Sequence, residues 1–305
     1  MSFKLTILGC SAAKPTTHSY PTAQYLQFAD RYFLIDCGEG TQMQLRKYKA
    51  KFNKIHHIFI SHLHGDHFFG LIGLISTFQL LGRVTDLHVY GPKGIQEIIE
   101  VQLRLTQSYK TYKICYHELE SKTTELIFED DYIEVFTLPL KHRIYCNGYL
   151  FREKVKKRRI NIDVVSQYPE IEKCDYQNLK NGKDYILENG TILKNERLTF
   201  PPSKSLSYAF CSDTKFNLAI VPLIKNVDLL YHEATFLEDK KDLAKKTGHS
   251  TALEAAQIAE ASNVKRMVLG HYSNRYSDME LFKKEAQKIF QEVELGYEGK
   301  VIEVK

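Results

Sequence analysis

The segment Ile58-Phe-Ile-Ser-His-Leu-His-Gly-Asp-His67 decides the fold, because three histidines and an aspartate directly follow an apolar run. The apolar run predicts a buried strand. If that strand ends before His62, then His62 and His64 point the same way, because side chains alternate along a strand with a period of two. Asp66 and His67 fall in the turn that opens the next apolar segment, which is typical of a helix. One strand-to-helix corner therefore offers two faces of ligands, with room for two metal ions.

These side chains have the chemistry of a metal site. Imidazole nitrogens and carboxylate oxygens are the ligands that borderline divalent ions such as zinc accept, and an open coordination position leaves room for an activated water. Histidines also cluster by chance or cap helices, which is a common explanation for a single histidine or a pair. Four ligand side chains within six residues after a strand favour metal binding instead.

The arrangement resembles the signature of the metallo-β-lactamase superfamily, whose members draw three further ligands from later loops, each following a strand. The order in that superfamily is a histidine, a bridging aspartate and a final histidine. Candidates follow strand-like segments here: His142 after Tyr132–Leu140, Asp213 after Leu206–Ser212 and His271 after Val264–Gly270. Taken singly, they read equally well as a surface histidine, a turn aspartate and a residue ending a strand. Their order and their positions at strand ends favour site residues.

The resemblance implies two zinc ions per subunit and a complete set of ligands for both. One zinc is expected to bind His62, His64 and His142, the other Asp66, His67 and His271, with Asp213 bridging the two. The coarse order of predicted strands and helices suits an α/β chain in which two mixed sheets pack face to face with helices outside. The expected fold is thus a four-layer αββα sandwich, a single domain over residues 1–305 with a projecting insertion.

Further motifs are similar to those of the ribonuclease Z family of tRNA 3′-end endonucleases. They comprise Phe3–Gly9, Phe33–Leu45, Phe68–Gly73, Tyr231-His-Glu-Ala-Thr-Phe236, Gly248-His-Ser-Thr-Ala-Leu-Glu-Ala-Ala256 and Gly270–Tyr276. Together they cover nearly the whole chain up to about Tyr276. The resemblance implies hydrolysis of a phosphodiester in precursor tRNA after the discriminator base, leaving a 3′-hydroxyl on the tRNA and a 5′-phosphate on the trailer. It also implies a homodimer in which one subunit's arm holds tRNA for the other's site.

Within that chemistry, four residues have expected roles besides metal ligation alone. Asp66 is expected to accept the proton of the attacking water as well as to bind metal. His249, stabilised by Glu233, is expected to protonate the leaving oxygen, although a buried histidine at a helix start is the alternative. Arg275 is a candidate to hold a flanking phosphate, and an ordinary surface arginine is nearly as good an explanation.

Some predictions depend on local sequence alone: a supporting role for Asp36, and helices indicated by two capping boxes and by an apolar segment. Asp36 follows a strand-like segment and is expected to accept a hydrogen bond from a ligand imidazole, unless it is simply a turn residue. Thr251 and Glu254 have the spacing of a capping box, which predicts a helix starting there. Ser277 and Glu280 repeat that spacing and predict a terminal helix over Asp278–Phe290. The apolar segment Phe68–Leu81 is also predicted to be helical.

Composition suits an intracellular enzyme. The chain has 305 residues with 43% hydrophobic content, enough for a large core. It has neither a long apolar stretch nor a basic-then-apolar leader, so the sequence supports neither membrane anchoring nor secretion. Its six cysteines are scattered and without CxxC pairs, which favours a reducing compartment and a cytoplasmic location.

Positive charge is concentrated in one segment, although the net charge is only +5. The run Arg152–Arg159 contains Lys154, Lys156, Lys157, Arg158 and Arg159 and precedes a turn-rich stretch, so residues 152–205 are interpreted as a basic insertion. In the ribonuclease Z family an arm at this position clamps the tRNA elbow. The family's usual Gly-Pro-rich arm sequence is not evident here. A solvated charged face is the alternative, but a polyanionic substrate favours phosphate contact.

Three other functions compete with cleavage of precursor tRNA. The nearest alternative is a different lactamase-fold hydrolase that acts on a small phosphodiester or a thioester. A thioester hydrolase would have no use for the basic insertion. A non-catalytic RNA-binding homologue would not need Asp66 or His249. A zinc-dependent redox or sensor protein is a third, and no glycine motif for a flavin or dinucleotide supports it.

Overall fold

A computed structural model describes residues 3–108 and 111–305. The chain divides into two compact units. The first takes in the chain up to Phe128 together with Val135–Phe151 and Leu206–Lys305, and the second consists of Glu129–Glu134 and Arg152–Ser205. The second unit thus contains residues 152–205 and also a short segment, 129–134, that the sequence did not single out.

The first sheet has seven strands in the order β18-β1-β2-β3-β4-β5-β6. They are β1 (Phe3–Gly9), β2 (Ala23–Phe28), β3 (Arg31–Ile35), β4 (Ile55–Phe59), β5 (Leu87–Pro92), β6 (Ile114–Leu119) and β18 (Val301–Glu303). Pairing is antiparallel from β18 to β3 and parallel from β3 to β6. The parallel half places the carboxyl ends of β3 and β4 side by side.

The second sheet also has seven strands, in the order β17-β16-β15-β14-β9-β8-β7. They are β7 (Leu126–Glu129), β8 (Ile133–Pro139), β9 (Asn147–Glu153), β14 (Ser207–Cys211), β15 (Leu229–Glu233), β16 (Met267–Gly270) and β17 (Val293–Leu295). Strands β14 to β17 are parallel, so their carboxyl ends lie at one edge.

The two sheets face each other across an aromatic core. The ring of Phe151 on the second sheet lies 5.5 Å from Phe33 and 5.4 Å from Phe59 on the first. The Tyr149 hydroxyl also crosses between the sheets and donates to the carbonyl of Ile60 at 2.6 Å. Burial of these large apolar side chains from both faces is the main force holding the sheets together.

Helices cover the outer faces. The first unit contains α1 (Thr41–Lys47), α2 (Gly65–Phe68), α3 (Leu71–Leu80), α4 (Ile95–Leu105), α8 (Lys241–Thr247), α9 (Ala252–Ala261) and α10 (Glu280–Ala286). On the first sheet, Leu45 of α1, Phe78 of α3 and Ile99 of α4 join one buried cluster with strand residues such as Ile58 and Val89. Helices α9 and α10 lie beside β15, β16 and β17. The predicted four-layer αββα architecture is confirmed.

The helix predicted over Phe68–Leu81 is α3, which begins at Leu71, because Phe68 ends the short helix α2 and the Gly70 N–H donates to the Cys37 carbonyl at 2.9 Å. A Cβ on Gly70 would lie 2.1 Å from the carbonyl oxygen of Gly38, so no larger residue fits there. This approach holds the corner that carries the histidine motif against the loop after β3.

The two predicted capping boxes differ in outcome. At α9, the Thr251 hydroxyl accepts from the Glu254 N–H at 3.2 Å and the Glu254 carboxylate accepts from the Thr251 N–H at 3.1 Å, as predicted. Before α10, whose N-cap residue is Met279, the carboxylate of Asp278 accepts from the Glu280 N–H at 2.9 Å. The predicted Ser277–Glu280 box is wrong, because a nearer carboxylate competes for the same N–H.

The chain also does not end in the predicted helix over Asp278–Phe290. Helix α10 spans Glu280–Ala286, and strands β17 and β18 follow it. Strand β18 returns to the first sheet and pairs with β1.

The second unit has its own small core. Its elements are β10 (Arg159–Ile160), α5 (Ile162–Val165), α6 (Tyr176–Lys180), β11 (Tyr185–Ile186), β12 (Ile192–Leu193), α7 (Asn195–Leu198) and β13 (Thr199–Phe200). They enclose a cluster of Val165, Ile171, Leu179, Leu193 and Leu198. Across both units, the helices of the described residues are too short to traverse a bilayer.

Candidate metal centre

Every predicted metal ligand lies just beyond a strand, and all of them converge at one edge of the two sheets. The seven residues are His62 and His64 after β4, Asp66 and His67 in α2, His142 after β8, Asp213 after β14 and His271 after β16. Parallel strands bring their carboxyl ends together, which is why residues so distant in sequence meet there. Both sheets therefore contribute ligands to the same cluster.

The first group joins three histidines. The Nε2 atoms of His62 and His142 lie 3.0 Å and 3.2 Å from Nδ1 of His64. Each of the three residues has a ring nitrogen within 4.8 Å of the other two. Three imidazole nitrogens facing one point make a suitable cradle for a divalent ion such as zinc.

The second group joins a carboxylate and two histidines. Nε2 of His67 and Nε2 of His271 each lie 3.6 Å from Oδ2 of Asp66. Both Nε2 atoms are buried and have no hydrogen-bond partner among residues 3–108 and 111–305. Buried polar atoms usually have partners, so these two nitrogens fit a metal ion that completes their bonding.

Asp213 lies between the two groups and turns one oxygen toward each. Its Oδ2 atom is 3.8 Å from Nε2 of His62 and 4.0 Å from Nε2 of His142. Its Oδ1 atom is 3.5 Å from Nε2 of His67 and 3.3 Å from Nε2 of His271. This is the geometry required of a carboxylate that bridges two ions.

Asp36 occupies the supporting position that the sequence suggested. Its carboxylate lies 2.7 Å from Nδ1 of His67 and also accepts from the backbone N–H and the hydroxyl of Ser61, at 2.7 Å and 2.9 Å. Because a buried carboxylate accepts here, the proton of His67 resides on Nδ1 and Nε2 is left to bind metal. Ser61 was not predicted from the sequence, since nothing in its local pattern shows a hydrogen bond to a residue on another strand.

Thr235 plays the same part for His271. Its hydroxyl donates to Oε2 of Glu233 at 2.6 Å, so it accepts from Nδ1 of His271 at 2.8 Å. That bond fixes the His271 tautomer with Nε2 toward the metal position. Thr235 is the threonine of the His-Glu-Ala-Thr motif, which was the available signal for it.

His249 stands beside the metal groups and is paired with Glu233. Its Nδ1 atom lies 2.9 Å from Oε1 of Glu233 and 3.7 Å from Oδ2 of Asp213. Burial alone would lower the pKa of His249, but the charges of Glu233 and Asp213 outweigh it and raise the pKa to about 9. Because Nδ1 faces Glu233, Nε2 is the atom that can give a proton to a bound substrate.

The charges of the site compensate one another. Burial favours protonation of Asp213, but the neighbouring His271 and His67 outweigh it and hold the pKa of the carboxyl well below its ordinary value. Burial would lower the pKa of His67, but Asp213 and Asp36 raise it to about 10. Asp213 therefore remains charged, and a bound cation would displace the second proton of His67 from Nε2.

The site opens into a groove of about 690 Å³ that carries positive charge. Lys14, Arg143 and Arg275 line it together with Asp66 and His249. Arg275 was predicted because it follows His271 by four residues, whereas Lys14 and Arg143 were not predicted to contact substrate. A cationic wall beside a metal centre suits a phosphate-bearing substrate.

The predicted cations of the basic run belong to the second unit and fall into two sets. Lys154 and Lys156 form ion pairs of 2.7 Å each with Glu129 and Glu153. The others, Lys157, Arg158 and Arg159, line a cavity of about 600 Å³ in that unit, together with Lys180 and Tyr176.

Comparison with known proteins identifies the family of this chain. Residues 3–142 match the family model described as Anti-Pycsar protein Apyc1. A ribonuclease Z of Bacteroides fragilis is 46% identical over 297 residues, covering 97% of this chain and 97% of that protein. A ribonuclease Z of Cytophaga hutchinsonii is 48% identical over 301 residues, covering 98% and 95% of the two chains. The chain belongs to the ribonuclease Z family.

Solved structures agree with this assignment. The short form of human tRNase Z is 29% identical, with a TM-score of 0.73 and coverage of 99% of both chains. A metallo-beta-lactamase fold protein of Bacillus subtilis, 20% identical with a TM-score of 0.69 and coverage of 99% and 100%, shows the same fold. The predicted metallo-β-lactamase fold is confirmed, and as a ribonuclease Z-family member the chain is a metal-binding hydrolase of the nuclease class.

Proposed function

We propose that this chain is a zinc-dependent endoribonuclease that removes the 3′ trailer from precursor tRNA by hydrolysis after the discriminator base. The observation that carries the proposal is the pair of ligand groups on either side of Asp213, set in a cationic groove beside the buried Glu233–His249 pair. The ribonuclease Z relatives and the human tRNase Z structure support the same substrate. The products are a tRNA 3′-hydroxyl and a trailer 5′-phosphate.

Two zinc ions suit the ligand chemistry of the centre. His62, His64 and His142 would hold one ion, Asp66, His67 and His271 the other, and Asp213 would contact both. The fit rests on the tautomers fixed by Asp36 and Thr235, on the two buried Nε2 atoms without partners and on the mixture of imidazole and carboxylate donors. Bound zinc lowers the pKa of a water molecule and offsets negative charge on phosphate oxygens.

Asp66 would have two roles in this mechanism. Its side chain lines the groove, and one oxygen is held by the Ala13 N–H, which donates to Oδ2 at 2.9 Å. The pKa of Asp66 lies well below its ordinary value, since His67 and His271 outweigh the effect of burial, so the carboxylate is charged and would serve as a metal ligand. Its position in the groove, rather than its pKa, supports the second role, in which it would accept the proton that leaves the nucleophile.

His249 is the acid for the leaving group in this mechanism. Its Nδ1 atom is held by Glu233, and its side chain lines the groove. A proton on Nε2 passes to the 3′-oxygen of the discriminator nucleotide as the P–O bond breaks. Glu233 orients the ring and stabilises its charged form.

The remaining cations are assigned to RNA phosphates. Arg143, Arg275 and Lys14 would contact phosphates next to the cut, because they line the same groove as the metal ligands. Residues 152–205 would form an arm that holds tRNA away from the cut. In that arm Lys157, Arg158 and Arg159 border an open cavity, whereas Lys154 and Lys156 already pair with carboxylates.

A homodimer in the cytoplasm completes the proposal. In this arrangement the arm of one subunit holds the tRNA that the other subunit cuts. The scattered cysteines support a reducing compartment, since they are free thiols, four of them buried.

The deciding experiment is cleavage of a precursor tRNA with a 3′ trailer by the purified, zinc-loaded protein, with Asp66→Ala as control. We expect one cut after the discriminator, mapped at both product ends, and its loss in the control. If the RNA stays intact while bis(p-nitrophenyl) phosphate is hydrolysed, the metal centre is right and the substrate is a small phosphodiester. Inertness toward both substrates, with tRNA still bound, would establish a non-catalytic RNA-binding protein.

A further inference from the structure

We propose that Phe69 is the stacking platform of a nucleobase subsite next to the metal centre, and that this subsite takes the base of the first trailer nucleotide. The inference rests on the proposed function and names a feature of substrate recognition within it. It is carried by an exposed aromatic ring in a cavity that shares a wall with the catalytic groove.

The cavity has a volume of about 280 Å³, and Asp66 lines it whereas His249 does not. Pro15, Pro21 and Phe69 give it apolar walls, and Glu39 gives it a charged edge. Asp66 also lines the larger groove, so the two spaces adjoin at a metal ligand. An RNA strand that places a phosphate at the metal centre therefore brings a neighbouring nucleotide to this cavity.

Phe69 is exposed although it lies at the corner that carries the histidine motif. Its relative exposure is 64%, whereas the adjacent Phe68 is 6% exposed. The exposed ring lines a cavity that shares Asp66 with the catalytic groove, so a base that stacked on it would lie next to the ligand cluster.

The ring is fixed in place by the backbone of the histidine motif. A Cβ on Gly65 would lie 2.2 Å from the Phe69 ring, so the ring rests directly on the glycine. The Phe68 ring supports it from the side at a centroid distance of 5.1 Å. A ring held in this way loses little conformational freedom when a base stacks on it.

The chemistry of the walls matches a nucleobase. An aromatic ring and two prolines provide flat apolar surfaces for a base, and base stacking on such rings tolerates any sequence. The Glu39 carboxylate can accept from an exocyclic amine. Trailers differ in sequence, so a platform that is tolerant of sequence suits the first trailer nucleotide.

The position relative to His249 selects the trailer side of the cut. His249 lines the larger groove and protonates the oxygen that leaves with the tRNA, so the discriminator nucleotide lies on that side. Phe69 lines the smaller cavity, which shares Asp66 but not His249 with the groove, and Asp66 takes up the proton of the nucleophile in the proposed mechanism. The nucleotide that retains the phosphate is the one nearest to this side.

The test compares Phe69→Leu and Phe69→Tyr on two RNAs, an intact precursor tRNA and one lacking the base of its first trailer nucleotide. We expect Phe69→Leu to lower kcat/KM on the intact RNA about tenfold and to have no effect on the abasic RNA. Phe69→Tyr should retain wild-type activity. Tyr297→Leu is the matched control, since Tyr297 is an aromatic residue of 58% exposure outside this cavity.

Metal content, thermal unfolding and sedimentation are measured for each variant. The subsite is overturned if Phe69→Leu loses the same factor on both RNAs, if the loss is instead abolished by removing the discriminator base, or if the variant changes its oligomeric state. If the wild-type protein cuts neither RNA after the discriminator, the proposed function fails and the subsite fails with it. A wild-type cut with no Phe69 effect leaves the function standing and removes the subsite alone.

Discussion

The Nδ1 atom of His249 lies 2.9 Å from Oε1 of Glu233, a carboxylate with no exposure to solvent. Oε1 also accepts from the Thr214 N–H at 2.8 Å, and Oε2 accepts from the N–H and hydroxyl of Thr235. All these bonds come from rigid strand ends, so the carboxylate is fixed before substrate binds. The folded protein therefore holds the His249 ring in its orientation before substrate binds.

His249→Ala is expected to lower kcat on precursor tRNA about 100-fold or more, because the leaving 3′-oxygen loses its acid. Cleavage of bis(p-nitrophenyl) phosphate should change little, since p-nitrophenolate leaves without a proton. Steady-state rates on both substrates, at equal zinc content, check this. Glu233→Gln should show the same selectivity with a smaller loss. Equal losses on the two substrates would contradict the role as an acid.

Asp36→Asn is expected to weaken zinc binding about 10- to 100-fold, since the carboxylate that fixes His67 is replaced by an amide. Competition with a chromophoric chelator measures the affinity. Asp30→Asn is the matched control, because Asp30 is an exposed aspartate paired with Arg31 at 2.8 Å. Unchanged affinity in Asp36→Asn would mean that the His67 tautomer is fixed by other contacts.

Removal of metal is expected to destabilise the first unit, because ligands from both sheets then face one another without an ion between them. At a thousandfold excess of zinc over its Kd, binding contributes about 4 kcal/mol to the free energy of unfolding. The Tm of the chelated protein should therefore fall by roughly 10 °C. Calorimetry with and without chelator measures it, and His142→Ala should show a smaller difference. If the Tm of the wild-type protein were the same with and without chelator, the result would contradict a metal held between the sheets.

Cations of the basic run are expected to differ in their effect on tRNA binding. Lys157→Gln with Arg159→Gln should raise the KM for precursor tRNA and reduce the salt dependence of binding by about 0.7 to 0.9 for each phosphate that is no longer neutralised. Lys154→Gln with Lys156→Gln removes the same charge from residues already paired with carboxylates, and should change less. Binding measured over a range of salt concentrations compares the two. Equal effects would mean that total charge, rather than the open cavity, attracts the RNA.

Glu285 is expected to act as a positioning residue for His249. Its carboxylate accepts from the Glu238 N–H at 3.0 Å and from the Leu253 N–H at 3.2 Å. These two bonds hold both ends of the segment that carries His249. Glu285→Gln replaces one acceptor with a donor and should lower kcat severalfold on precursor tRNA with KM unchanged. The rate of hydrolysis of bis(p-nitrophenyl) phosphate should change little, as expected for His249→Ala. Glu280→Gln on the same helix is the control, and a loss on both substrates would indicate general destabilisation instead.

The sequence predicted which side chains lie together at one edge of the sheets, because these residues follow predicted strands. His62 to His67 form one local motif, and His142, Asp213 and His271 each follow an apolar run that becomes a strand. The supporting contacts could not be predicted in this way. Ser61 contacts Asp36 across the sheet, and such pairings depend on register rather than on local pattern.

Local sequence patterns gave wrong predictions of secondary structure where tertiary contacts compete with them. The spacing of Ser277 and Glu280 predicted a capping box, but Asp278 is nearer and takes the bond. The apolar segment Phe68–Leu81 predicted one helix from its first residue, whereas α3 begins only at Leu71, because the Gly70 N–H donates to the Cys37 carbonyl instead of within the helix. The final strands were missed because β18 is stabilised by pairing with β1, at the opposite end of the sequence.

The placement of the ligands along the chain has a consequence for folding. His62 follows a strand of the first sheet and His271 follows a strand of the second, so the ligand cluster is complete only once both sheets have formed and packed together. Contacts between residues so distant in sequence form slowly, because the entropy of closing the long loop between them is lost before the contacts are made.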